Sequence, residues 1–300
     1  MLDVIGLITP SSPMGAGRLD LGLEYLKAKG FKVKVGTHVK DGARFLAGTD
    51  EHRAKDIMDF FRDPEVKAIM ATAGGYGSQR LLPLLDYDVI RANPKPIIGF
   101  SDTTALQLGV FKKTGLVSYT GFTFRDLDTP DGINPLIDET LMNCLIGENY
   151  TITEGVVMQS GAAEGCLVGG NLALTTALMG TPYEPDFLGN ILLIEDVFSE
   201  PFMVDCRLSQ LHLAGVFDRV SAVIFGEFVE CHAIHNPDRD GTIDDVIDEW
   251  ASRMHVPCIK EFPYGHGVRR CVLPLGGRVR LAAAAEGASI FDIRNPRAIA

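Results

Sequence analysis

The feature that most constrains this chain is the alternation of short apolar runs with helical segments through its first third. Val4–Ile8 is apolar and ends in the loop Thr9-Pro10-Ser11-Ser12-Pro13. Leu19–Lys29 follows with helical spacing, and Gly30 stops it. Phe31–Val35 alternates like a strand, Glu51–Phe61 is helical up to Asp63-Pro64, and Ala68–Ala73 is a second buried run. Ser78–Leu85 predicts a short helix, Ile97–Phe100 a strand and Thr103–Lys113 a helix. Repeated βα units of this kind fold into a parallel sheet covered on both faces by helices. Ligands of such sheets bind at the carboxyl ends of the strands. The expected fold is therefore α/β, with a Rossmann/flavodoxin-like parallel-sheet N-terminal domain over residues 1–125.

Beyond Phe124 the pattern weakens through Asp-Thr-Pro-Asp-Gly-Ile-Asn-Pro. Residues 126–164 read as a linker with irregular structure, and 165–300 as a smaller β/α C-terminal domain. Within it Gly189–Glu195 and Val220–Phe225 predict strands, and Val204–Ala214 and Ile243–Met254 predict helices. Val279–Leu281 and Ala288–Ile293 predict a hairpin around Glu286-Gly287. A length of 300 residues agrees with two domains. The net charge of −11 argues against nucleic acid or an anionic membrane surface as partner. The N-terminal residues lack the basic and apolar regions of a secretory signal, no run is long enough to span a bilayer, and the six cysteines are scattered without a C-x-x-C pair. These features predict a cytoplasmic protein with reduced, mostly buried thiols.

Three segments carry potential chemistry. In Ile97-Ile98-Gly99-Phe100-Ser101-Asp102-Thr103-Thr104 a buried strand turns sharply into a helix with Ser101 at the corner. That is the placement of a nucleophile elbow, with the N–H of Asp102 free to donate to an oxyanion, although Thr103 stands where a second glycine is usual. The plainer alternative is that Ser101 or Asp102 only caps the helix. Ala73-Gly74-Gly75-Tyr76-Gly77-Ser78-Gln79-Arg80 also joins a strand to a helix. Its glycines free backbone N–H groups for an anion or oxyanion, and it matches neither a Walker loop nor a dinucleotide fingerprint. The alternative here is an ordinary glycine turn. The third segment is split between the strand Ile191-Leu192-Leu193-Ile194-Glu195-Asp196 and the histidine of Tyr264-Gly265-His266-Gly267. A serine nucleophile needs a base, and the base needs an acceptor on its other nitrogen. Glu195 and Asp196 are the candidate acceptors, with Glu200 a third; the alternative is a plain loop histidine.

The acidic and histidine-bearing stretch Glu227, Glu230, Cys231, His232, His235, Asp238, Asp240, Asp244 and Asp245 fits no zinc or calcium spacing. It reads as a solvated loop running into an acidic helix start. No metal or other cofactor is expected. His38, His52 and His255 fall in predicted surface segments.

Taken together, these segments resemble the LD-carboxypeptidase family of serine peptidases, which includes muropeptide LD-carboxypeptidases and microcin C self-immunity peptidases. The likeness is carried by Gly74-Gly75-Tyr76-Gly77-Ser78-Gln79-Arg80-Leu81-Leu82-Pro83, by Ile98–Leu106, by Gly169-Gly170-Asn171-Leu172, by Leu193–Asp196, and by Gly265-His266 with Leu273-Pro274-Leu275-Gly276. The resemblance implies a Ser–His–Glu triad of Ser101, His266 and Glu195, with the serine on the first domain and its partners on the second. It implies acyl transfer from a peptide carbonyl next to a terminal D-amino acid, with no nucleic acid or membrane involved, by a homodimer. Gly75 and Asp102 are then the oxyanion donors. Tyr76 is a substrate contact, and Arg80 is the candidate for the product carboxylate. One departure is Val204-Asp205-Cys206-Arg207, where the arginine stands one position later than in many members, which puts its role in question. Microcin-type members carry a longer loop before the glutamate strand, with an aromatic residue for a nucleotide. This chain has no tryptophan there, only Tyr183 and Phe187, so a muropeptide in peptidoglycan recycling is the favoured substrate. The remaining rivals are a microcin-type amide of an acyl–nucleotide and, from another class, a non-catalytic binder of an anionic metabolite.

Overall fold

A computed structural model of the chain describes residues 4–14, 19–127, 132–237, 239–284 and 289–293. Its first part runs β1 (Val4–Ile8), α1 (Asp20–Ala28), β2 (Lys32–Val35), α2 (Asp50–Arg62) and β3 (Val66–Ala71). A 3-10 helix (Ser78–Leu84), α3 (Tyr87–Ala92), β4 (Ile97–Gly99), α4 (Thr103–Thr114) and β5 (Ser118–Thr120) complete it. All four pairings among these strands are parallel. Their order, β5-β4-β3-β1-β2, reverses direction between β1 and β3. That reversal is the switch point at which doubly wound sheets open a crevice.

Local sequence explains these elements. The Thr49 hydroxyl caps α2 by accepting from the His52 N–H at 3.2 Å, and Asp50 and Glu51 sit where the helix dipole favours negative charge. The buried face of α2 carries Ile57, Phe60 and Phe61 onto the sheet. Each such side chain contributes about 1.5–3 kcal/mol by leaving water. Helix α4 is buried from Thr103 to Val110, because it packs on its own sheet and on the second domain. Gly115, left-handed at φ 74°, ends it.

The second part runs α5 (Pro135–Ile146), β6 (Tyr150–Ile152), β7 (Val156–Gln159), β8 (Gly161–Asn171), α6 (Leu172–Ala177), β9 (Ile191–Val197), α7 (Pro201–Leu213) and α8 (Val216–Arg219). It continues with β10 (Ala222–Val229), α9 (Ile243–Ser252), β11 (Cys258–Lys260), β12 (Leu273–Leu275), β13 (Arg278–Ala283) and β14 (Ser289–Ile293). Eight strands form the second sheet in the order β6-β14-β13-β8-β9-β10-β11-β7. Its centre, β8 to β11, is parallel, and its flanks are antiparallel. The predicted terminal hairpin is present as β13 and β14; its turn at Glu286-Gly287 lies outside the described residues.

Two features differ from the sequence reading. The stretch read as an irregular linker holds α5, β6 and β7. Asn134 caps α5, Pro135 opens it and Gly147 closes it, while Ile137, Leu141, Cys144 and Leu145 are buried on one face. And β12, late in the chain, leaves the second sheet to pair antiparallel with β5 at the edge of the first. The chain therefore returns to its first sheet between β11 and β13 of the second, which fastens the two together. No helix among the described residues is long and apolar enough to cross a membrane. Four of the six cysteines are buried and all are free thiols.

Candidate active site

Ser101 follows β4 at the corner into α4, with φ of +64°. A serine adopts this left-handed conformation at a cost of roughly 1–2 kcal/mol, the kind of strained turn on which a nucleophile elbow depends. Beside it lies the glycine loop after β3. Gly75 has φ of +114°, and a Cβ there would meet the Ser12 side chain at 2.2 Å, so only glycine fits. Among the described residues, neither the Gly75 nor the Asp102 N–H is assigned a protein acceptor, and both belong to the segments that frame Ser101.

The second domain supplies the other half. His266 Nε2 lies 3.0 Å from Ser101 Oγ, and His266 Nδ1 lies 2.7 Å from Glu195 Oε2. Glu195 is fully buried at the end of β9, and its Oε1 accepts from Asn171 Nδ2 at 3.1 Å. Of the three candidate acceptors, Glu195 alone meets the histidine. Asp196 instead accepts from Arg207 Nη1 at 2.8 Å; burial pushes its carboxyl up, against the pull of that guanidinium. Glu200 accepts from the backbone of Ile234 and His235 and contacts the His235 ring, holding the loop after β10. The imidazole of His266 rests on Phe100, with ring centroids 4.6 Å apart, and Phe100 meets Tyr264 edge to face. Tyr264 is fully buried, and its hydroxyl bonds Thr120 at 2.7 Å across the two sheets.

These groups line a cavity of about 630 Å³, within the size range of small-ligand sites. Gly75 and Tyr76 form part of its wall, and Tyr76 is exposed. Arg80 is not brought to it. Its guanidinium reaches away to Asp50, at 2.8 and 2.9 Å, because Asp50 at the start of α2 is the nearer carboxylate. The cavity is lined instead by Arg125, Arg207 and Arg270. Arg207 is engaged with Asp196 and Ser199, and Arg270 with Asp126; Arg125 is exposed and has no ion pair among the described residues. The displaced arginine of α7 thus orients Asp196 at the cavity wall.

The Asp102 side chain does more than its sequence position indicated. It is buried, and its carboxylate accepts from the N–H groups of Gly77 and Ser78 at 3.1 and 2.8 Å. It caps the 3-10 helix and ties the glycine loop to the Ser101 corner. Asn171, quoted in a motif without a role, is the second support of Glu195. Its signal was its place at the end of β8, beside β9 in a parallel pair. The acidic stretch after β10 forms no metal cluster among the described residues, and Asp238 lies outside them. Thr242 and Asp245 make a capping box there at the start of α9.

Family models match most of the chain. The LD-carboxypeptidase N-terminal domain matches residues 5–121, and the LD-carboxypeptidase C-terminal domain matches 164–281. The chain belongs to the LD-carboxypeptidase family. It is a serine-type carboxypeptidase hydrolase of that family by these matches and by its relatives' names. The probable murein peptide carboxypeptidase of Bacillus subtilis is 32% identical over 96% of this chain and 91% of its own length. The microcin C7 self-immunity protein MccF of Escherichia coli is 33% identical over 93% of this chain and 90% of its own. Among solved structures, the muramoyltetrapeptide carboxypeptidase of Oxalobacter formigenes superposes with a TM-score of 0.89 at 28% identity, over 98% of this chain and 99% of that one. LD-carboxypeptidase architecture thus extends to both sheets.

Proposed function

We propose that the protein hydrolyses the L,D-peptide bond before the C-terminal D-amino acid of a muropeptide, using Ser101, His266 and Glu195 as a catalytic triad. The observation that carries this is the unbroken hydrogen-bond chain Glu195–His266–Ser101 at 2.7 and 3.0 Å, with the serine on a strained elbow. Ser101 Oγ attacks the scissile carbonyl while His266 Nε2 takes its proton. Glu195 holds the Nδ1–H tautomer and stabilises the imidazolium. The Gly75 and Asp102 N–H groups receive the developing oxyanion. His266 then gives the proton to the leaving amine of the D-residue, and water, activated by the same histidine, releases the acyl group from the serine. Arg125 takes over from Arg80 as the candidate for the terminal carboxylate, since it lines the cavity and has no ion pair among the described residues.

A muropeptide is favoured over a microcin-type nucleotide by the aromatics before β9. Tyr183 packs against Tyr87 and Lys113, and Phe187 is fully buried beside Arg219. Phe187 is thus closed to a base, and Tyr183, half-buried, is already engaged by Tyr87 and Lys113. The same reading takes the work to be peptidoglycan recycling in the cytoplasm by a homodimer, which cell fractionation and light scattering test. The deciding experiment assays a tetrapeptide ending in D-alanine and an aspartyl sulfamoyl adenosine side by side. Hydrolysis of the tetrapeptide should predominate and fall about 10⁴-fold or more in Ser101→Ala. Full activity in that variant refutes the serine mechanism, and preference for the nucleotide amide refutes the substrate. A fluorophosphonate should label Ser101 and fail to label His266→Ala; a binding protein would not be labelled at all.

A further inference from the structure

The two glycines that flank His266 are glycine for different reasons, and both reasons involve one residue outside the triad. Gly265 has φ of +150°, and a Cβ there would lie 2.8 Å from Glu227 O and 2.9 Å from Glu227 Cβ. Gly267 has no left-handed φ, so what excludes a side chain there is space: a Cβ would land on the Glu227 carboxylate, at Oε2. Glu227 is the member of the acidic stretch that lies within β10, and it is half-buried.

Its place follows from an irregularity in the second sheet. β9 and β10 pair in parallel, with Phe225 against Ile194 and Phe228 against Asp196. Gly226 and Glu227 therefore stand opposite a single residue, and that residue is Glu195. A bulge of this kind bends the strand and re-aims its groups. Here the Glu227 N–H turns to Tyr264 O, at 2.8 Å, two residues before His266. The Glu227 carboxylate meets Gly267 on the other side of the histidine; burial pushes its pKa up, against the pull of the Gly267 N–H. Arg270 Nη1 holds Gly267 O in turn, at 3.1 Å. Left to itself, a Gly-His-Gly segment is among the most freely jointed that a chain can have. A shift of about 1 Å in a general base can cost about 100-fold in rate.

We propose that, given the triad of Ser101, His266 and Glu195 on which this role rests, Glu227 is its positioning residue: by filling the space beside Gly265 and Gly267 it fixes the backbone on both sides of His266. Glu227 does not line the cavity, so it acts through the histidine loop and not on the substrate. One bulge thereby sets the base against its acid, since it lies beside Glu195 and carries the seat of His266.

The test measures kcat and KM on a tetrapeptide ending in D-alanine, the rate at which a fluorophosphonate labels Ser101, and Tm, all on the full chain. Glu227→Leu should lower kcat and the labelling rate about 10- to 100-fold, while KM changes less than about threefold. Glu227→Gln keeps the shape and can accept the same N–H, and should recover most of that loss. Gly267→Ala should lose as much as Glu227→Leu, because its methyl competes with the carboxylate, and it gives the same reading where Glu227→Leu does not fold. The Glu227→Ala/Gly267→Ala double variant, in which that space is free, should lose less than the product of the two single losses, by about fivefold or more. A fall in Tm at unchanged kcat overturns the positioning role, as do single losses that simply multiply. A Gln variant as slow as the Leu variant overturns bracing by shape. Labelling that survives in Ser101→Ala overturns the triad and this role with it, whereas a triad confirmed by that variant beside unaffected Glu227 variants overturns this role alone.

Discussion

The proposed reaction needs a cation for the terminal carboxylate, and the candidate is a single arginine. Three guanidinium groups line the cavity, and two are already neutralised by Asp196 and Asp126. Arg125 is the remaining one, carried by the short turn after β5, with its backbone N–H held by Thr72 O at 2.8 Å. A charge-assisted pair of this kind contributes about 1.5–3 kcal/mol. Arg125→Ala should therefore raise KM about 10- to 100-fold for a tetrapeptide with a free C-terminal carboxylate, with kcat much less affected. An amidated peptide should be a poor substrate for both proteins and show little difference between them. Equal KM values for the free acid in the two proteins place the carboxylate elsewhere. Ser101 and Glu195 stood out because each lies at or near the end of a buried strand; His266, in the loop between β11 and β12, was singled out by the family resemblance. Arg125 was not, since nothing around Phe124 carries a period, and Arg80 stood in a glycine loop whose true charge partner, Asp50, is 30 positions away.

At the scale of elements, the 3-10 helix Ser78–Leu84 owes its start to a residue from another segment. The Asp102 carboxylate takes the N–H groups of Gly77 and Ser78, so one buried side chain fixes both walls of the proposed oxyanion hole. Asp102→Ala leaves those two donors without an acceptor, at about 3 kcal/mol of stability by denaturant unfolding. Since a shift of about 1 Å in such a loop can cost about 100-fold in rate, kcat should fall by that order while Ser101 stays labelled by fluorophosphonate, more slowly. Unchanged kcat with lowered stability confines Asp102 to a cap. Elements of the first third were legible because they are long enough to show a period: β1, β3, α2 and α4 all fall within a few residues of their expected bounds. Strands β5, β11 and β12 have three residues each and carry no period. Their pairing depends on partners far along the chain. Helix α5 did carry one, and the proline- and glycine-rich approach to it masked the signal.

On the scale of the whole molecule, the candidate site exists only while two sheets are docked, since Ser101 comes from the first and Glu195 and His266 from the second. Strand β12 makes this docking part of the first sheet itself. The Thr120–Tyr264 and Thr104–Asn171 hydrogen bonds latch the region directly behind the triad. Arg270 is the widest of these latches. It is buried, its Nε donates to Gly121 O at 2.9 Å, its Nη1 donates to Gly267 O at 3.1 Å, its Nη2 pairs with Asp126, and its guanidinium lies 4.9 Å from the Phe100 ring centroid. It thus joins the loop that carries His266 to the segment that follows β5 and to the residue before Ser101. Removing one member of this half-buried pair strands the other, at about 1–3 kcal/mol. Arg270→Ala and Asp126→Ala should each lower both stability and kcat. The double variant should lose less than the sum, with a coupling of about 1 kcal/mol or more. Stability and kcat should fall together because the same contacts fix both the docking and the His266–Ser101 distance. Additive losses would mean that Arg270 and Asp126 act independently, and a loss of stability at constant kcat would mean that the triad closes without this latch.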